Sequence, residues 1–295
     1  MKNGKMKFNY IGDFSEGLAM VEMGGKWGFI NEQEELVIPC GYDMASDFFE
    51  GFAIVGMQRK LSFIDKRGKI ISPFLYDEAD DFSEGLAGVC KDGKWGFINE
   101  QGELVIPCEY DEVGCFYEGY AKVMVYEYGQ VMSHFSDFTK FAEYDVWWFI
   151  DKSGKIISSA YEEVESFSEG LAAVCRGGMW GFINEKDEPV IPLEYDKADF
   201  FFEGLAAVQK HGKWGFIDKS NRLVIPYEYD SFCGFDGGLS RALKDGKWGI
   251  IDKAGKAVIP FEYDYMCYNK NGFIEFRKKG EDKAYLIDET GKFVS

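Results

Sequence analysis

Apolar and polar positions recur along the chain with a period of 34 residues. The pattern is clearest in Phe82-Ser83-Glu84-Gly85-Leu86-Ala87-Gly88-Val89-Cys90, followed by Asp92-Gly93 and by Lys94-Trp95-Gly96-Phe97-Ile98-Asn99. Aligned on its opening aromatic, copies start at Phe14, Phe48, Phe82, Phe116, Phe167, Phe201 and Phe235, with a degenerate one at Asn269. Successive spacings are 34 residues except for one of 51. A fixed period of this kind means one tandem array spanning 1–295 rather than separate globules. The repeats are 14–47, 48–81, 82–115, 116–166, 167–200, 201–234, 235–268 and 269–295, the last a C-terminal cap, after a partial repeat 1–13.

Within each repeat the alternation predicts three short strands. The first is Leu86-Ala87-Gly88-Val89-Cys90, closed by the hairpin dipeptide Asp92-Gly93. In the second, 94–98, Trp95 and Phe97 fall on one face and Gly96 and Ile98 on the other. The third, 103–110, is rich in Val, Ile and Tyr and contains Pro107. A proline recurring there (Pro39, Pro73, Pro107, Pro192, Pro226, Pro260) has no N–H to give and belongs at an edge, bulge or bend. The turn between the second and third strands opens on Asn or Asp and closes on Gly68, Gly102, Gly154, Gly255 or Gly291, or on Asn221 or Asp187, all types that tolerate positive φ. Glu34 breaks that rule and should be strained there or mark a different turn. Recurrent proline, glycine after each repeated Trp, and no run of 10–12 residues with helical periodicity exclude a helical repeat. Repeat two, with Leu61-Ser62 in place of Trp-Gly, and repeat eight, with Tyr285-Leu286, depart from the pattern.

Composition adds exclusions. A net charge of −18 opposes nucleic-acid and anionic membrane partners. Residues 1–10 carry lysines but no apolar signal segment, and seven cysteines without a CxxC pair suit a reducing compartment, so a cytoplasmic protein is expected.

The unit FSEGLAAVCKDGKWGFIN followed by GELVIPCEYDE resembles the bacterial WG repeat, also called the KWG repeat, almost continuously over 14–268. The resemblance implies tandem arrays of varying length acting in interactions, and brings no catalytic residues with it. An all-β array of about eight three-stranded antiparallel meanders is expected. An open superhelical β-solenoid is favoured because stacking without closure leaves repeat number unrestricted; the alternative is a closed eight-bladed propeller-like ring, suggested by the matching phase of the two termini.

Candidate chemistry is sparse. The Trp column reads first as core and second as aromatic pockets for a sugar or quaternary amine. The Glu-Gly glutamates and Tyr-Asp aspartates read as turn and surface residues before they read as a cation ridge. His211 sits at a turn position, His134 in the insertion, and every carboxylate belongs to a repeated column, so no catalytic, cofactor or metal residue is assigned. A glycosidase is the least favoured reading. The unique feature is the insertion at 126–146 in repeat four, with Tyr126, Tyr128, Phe135, Phe138, Phe141 and Tyr144 leading into Trp147-Trp148. These eight aromatics are the expected anchors for a protein partner, and the expected function is a non-enzymatic scaffold for protein–protein interaction. A small-ligand module using pockets between repeats is the alternative.

Overall fold

The computed structural model describes residues 7–126, 146–268, 274–280 and 284–287, together with Lys292 and Val294. All the regular structure is β. Eight open antiparallel sheets follow one another in chain order, at 10–42, 44–65, 78–110, 112–151, 163–195, 197–229, 231–263 and 265–287. Residues 1–158 and 159–295 form two compact units of four sheets each.

Five sheets have four strands where three were expected. In repeat three they are Glu78–Ser83, Leu86–Lys91, Lys94–Asn99 and Leu104–Tyr110, paired in that order. The extra strand carries the opening aromatic, Phe82, and joins the next through Glu84-Gly85, both at positive φ. Glu-Gly is therefore a two-residue hairpin turn, with a glutamate in the left-handed region that side chains usually avoid. The extra strand holds Asp80-Asp81 and a register shift between Ala79 and Phe82, which obscures its alternation. The sheets at 44, 78, 112, 197, 231 and 265 consequently begin just after a Tyr-Asp pair, and the one at 163 just after Tyr161-Glu162.

The central strand is buried on both faces because a sheet lies on each side of it. Phe63 packs with the following sheet and Ile64 with the preceding one. Phe216 and Ile217 divide in the same way. Within each unit the repeats are thus joined to their neighbours through both faces of the sheet. The strongest contact between repeats joins the central Phe of one to the opening Phe of the next. Ring centroids are 4.9 Å apart for Phe29 and Phe48, 5.1 Å for Phe63 and Phe82, 4.9 Å for Phe97 and Phe116, and 4.9 Å for Phe182 and Phe201. These rings are fully buried, whereas Phe14, the first of the opening column, is 48% exposed.

The recurrent Gly-Pro pairing has a steric cause. Trp95 pairs with Tyr110 and Phe97 with Ile106, so two residues of the central strand face four of the last one. Pro107 lies in that bulge, as its missing donor requires, and the bulge folds over Gly96. A Cβ there would sit 2.4 Å from the Ile106 carbonyl oxygen; at Gly28 the distance to Ile38 O is also 2.4 Å, and at Gly181 to Ile191 O it is 2.6 Å. The two internal repeats that lack this glycine change both partners together. Ser62 faces Ser72, hydrogen-bonding its carbonyl, and Trp148 is matched by Ser158, whose hydroxyl accepts the Phe149 N–H at 2.9 Å. Both of these sheets have three strands, and the last segment is held only by isolated bridges such as Ile64 to Ile70 and Ile150 to Ile156. Leu61-Ser62 is thus half of a compensated pair.

Glu34 adopts φ 61° in the same turn geometry as Gly102, its N–H donating to Asn31 O at 2.9 Å, so the expected strain is present. Replacing it, Glu34→Gly, should stabilise the protein by about 1 kcal/mol, while Gly96→Ala should cost about 3 kcal/mol through the clash with the bulge. Urea unfolding of the two variants checks both signs.

Candidate interaction surfaces

Both acidic columns turn out to couple neighbouring repeats. The Glu84 carboxylate accepts the Gly119 N–H at 2.9 Å and pairs with Lys152 Nζ at 3.2 Å, while Lys152 also donates to the Glu84 carbonyl at 2.8 Å. Glu16, Gly51 and Lys66 form the same staple, as do Glu169, Gly204 and Lys219, and Glu203, Gly238 and Lys253. These links hold the glutamates in their positive-φ turns. The lysine comes from turns that open Asp-Lys; Glu32, Glu100 and Glu185 stand there in the turns that open on Asn.

The Tyr-Asp aspartates use one oxygen within the repeat and one beyond it. Asp111 Oδ1 takes Lys94 Nζ at 2.6 Å and Asp111 Oδ2 takes the Tyr126 N–H at 2.7 Å. Asp77 pairs likewise with Lys60 and the Asp92 N–H, and Asp264 with Lys247 and the Lys279 N–H. The lysine hydrogen bond holds the Asp43, Asp77, Asp230 and Asp264 carboxyls below the usual aspartate range. Among the described residues no group of three or more His, Cys, Asp or Glu is arranged to hold a metal ion.

The Trp column lies at the margin of the core. Trp27, Trp95, Trp147, Trp214 and Trp248 are half-buried and Trp180 is 8% exposed; the fully buried column is the Phe two residues on. His211 occupies the hairpin turn, at φ 54°, and its N–H donates to Asp196 Oδ2 at 2.6 Å.

Of the eight aromatics expected to meet a partner, three can be placed. Tyr126 is 44% exposed, its backbone N–H is docked on Asp111, and its hydroxyl donates to Glu112 at 2.8 Å. Trp147 is half-buried under Lys122, whose Nζ lies 5.3 Å from the ring centroid. Trp148, in the glycine column, is 5% exposed and belongs to the core, so it is not a surface anchor. Tyr128, Phe135, Phe138, Phe141 and Tyr144 lie outside the described residues. The insertion leaves from the tip of a hairpin paired without interruption from Tyr120 with Asp151 to Val125 with Val146.

In the second unit a groove of about 600 Å³ runs across the sheets at 163–195, 197–229 and 231–263, lined by Trp180, Trp214 and Phe232, by Glu163, Glu165, Asp196 and Asp199, and by one cation, Lys197. Trp214 meets Phe232 edge-on, with centroids 5.0 Å apart. Burial pushes the Asp199 carboxyl up, and its one hydrogen bond among the described residues is from the Phe200 N–H at 2.9 Å.

The model of the WG containing repeat matches residues 5–27, 27–60, 62–95, 95–127, 149–180, 180–214, 214–248 and 248–281. The chain belongs to the WG repeat family. None of the curated proteins matches it. Among solved structures, a crystal structure titled as the eukaryotic initiation factor aligns with a TM-score of 0.55 at 8% identity, covering 95% of this chain and 84% of that one, a likeness of fold alone. A virginiamycin B lyase from Staphylococcus aureus (14% identity, 79% and 90% coverage, TM-score 0.35) and a dihydro-heme d1 dehydrogenase (12%, 98% and 74%, 0.41) are more distant in shape. The gap between the fourth and fifth WG matches, 128–148, coincides with the insertion.

The sequence reading passed over the groove, although a signal was present. Met179 stands where Lys26, Lys60, Lys94, Lys213 and Lys247 occupy the same column, and the column that holds Ser46 and Gly114 in two earlier repeats, and Asp80 in a third, is acidic in two consecutive repeats at Glu165 and Asp199.

The coupling columns predict an acid-sensitive array. A carboxyl held below its ordinary pKa contributes stability that is complete above the unfolded value, near pH 4, and is lost as pH falls through the folded value. The urea midpoint should therefore fall on acidification below that point. Asp77→Asn should lower the midpoint at neutral pH and flatten the acid limb, as measured by unfolding at a series of pH values.

Proposed function

We propose that this WG-repeat protein is a non-enzymatic, cytoplasmic scaffold that binds another protein, with the insertion in repeat four as its contact. The observation that supports the reading is the placement of the insertion on a regular scaffold. The hairpin it leaves, Tyr120–Val125 with Val146–Asp151, has the same pairing as Leu86–Lys91 with Lys94–Asn99, where two residues suffice for the turn. The added length is not needed to close the hairpin, and long excursions on a rigid support commonly carry binding. The aromatic content of 126–146 suits interface anchors, which are enriched in Tyr and Trp. Tyr126 and Trp147 lie at its two roots, the first exposed and the second half-buried. The repeated carboxylates, tied into the staples and bridges between repeats, act here as architecture rather than as reacting groups.

Replacing 126–145 by Asp-Gly should leave the unfolding midpoint within about 0.5 kcal/mol of the parent, as surface changes do. The excised protein should lose the partner that the intact chain retains in a pull-down. An intact fold with undiminished partner recovery overturns the proposal.

A further inference from the structure

We infer that the groove across the sheets at 163–195, 197–229 and 231–263 binds a small organic ammonium ion. The argument starts from a broken column. In five repeats the Tyr-Asp aspartate is neutralised by the lysine 17 residues before it: Asp43 by Lys26, Asp77 by Lys60, Asp111 by Lys94, Asp230 by Lys213 and Asp264 by Lys247. For Asp196 that residue is Met179. Asp196 still receives the next turn's N–H, from His211, so the rest of the linkage is intact and the cation alone is missing.

The loss occurs at the wall of a cavity. Asp196 lines the groove together with Glu163, Glu165 and Asp199, against the single Lys197. Asp199 adds a second deficit, a carboxyl whose charge burial disfavours and whose one hydrogen bond is from a backbone N–H. Asp199 is half-buried and Asp196 exposed, so a cation in the groove can reach both carboxylates. Trp180 and Trp214, from consecutive repeats, supply the aromatic wall, and an alkylammonium is attracted to an indole face while its methylenes cover apolar surface. The volume of about 600 Å³ falls in the range of small-molecule sites. A neutral sugar would use the indoles and leave Asp196 without the cation its column carries elsewhere. The ligand class follows from the group that is absent: an ammonium head on a short alkyl chain, with the spread of carboxylates suited to a second head.

The probe is 1,4-diammoniobutane, titrated at constant ionic strength into the full-length protein and followed by calorimetry and tryptophan fluorescence, with 1,4-butanediol as the uncharged counterpart. Saturable binding of the diamine and none of the diol is expected. Met179→Lys rebuilds the bridge found in five other repeats, so it should keep or raise the melting temperature and weaken the diamine about ten-fold or more. Asp199→Asn should also weaken binding while keeping or raising the melting temperature, because it removes a half-buried charge and keeps an oxygen for the Phe200 N–H. Three results would each overturn the inference: no saturable signal, equal binding of the diol, or a folded Met179→Lys variant that titrates like the parent. Excising 126–145 should leave diamine binding unchanged, which separates this site from the protein-binding proposal.

Discussion

Within each unit the stacking of repeats depends on one recurring contact, a central phenylalanine packed against the opening phenylalanine of the next repeat. Fully burying such a ring is worth about 2–3 kcal/mol, and an edge-on partner adds about 1 kcal/mol. A partly exposed pair such as Glu84 with Lys152 contributes at most about 1 kcal/mol. Packing therefore supplies most of the cohesion, and the polar staples set register.

Close packing of the rings brings the backbones together and leads to the other invariants. The last strand bulges at Ile-Pro so that its Ile can pair with the central Phe and its Tyr with the Trp. The bulge lies over the central strand, which leaves room there for glycine and nothing larger. Where Ser62 or Trp148 fills that position the last segment gives up its ladder. Trp-Gly-Phe-Ile is thus a single steric arrangement with four columns.

Much of this was legible in the residues. The 34-residue period, the Asp-Gly hairpin and the proline at a bulge all follow from local chemistry, and the structure contains them. Three things were not. The strand Glu78–Ser83 is interrupted by a register shift and two aspartates, so its alternation does not show. The core role of Phe over Trp depends on distance from the sheet margin, which a period-2 pattern does not carry. The glutamate column makes its bonds 35 residues away, to the next repeat, so it looks like a solvated row until the repeats are stacked. The candidate groove was hidden for a related reason, since it is formed by departures from consensus in two adjacent repeats, and attention to a repeat favours what is shared.

The staples also give the array a syntax. A turn that opens Asp-Lys reaches back to the glutamate of the repeat before it, and a turn that opens Asn-Glu brings no lysine to that place. Units are therefore not interchangeable beads. Duplicating an Asn-Glu unit together with the Asp-Lys unit that follows preserves the stapled junction, whereas duplicating an Asn-Glu unit alone sets glutamate beside glutamate. Lengthening by two is favoured over lengthening by one at such a junction. The alternation of turn types through repeats one to six is the pattern that growth by paired units would leave in the chain.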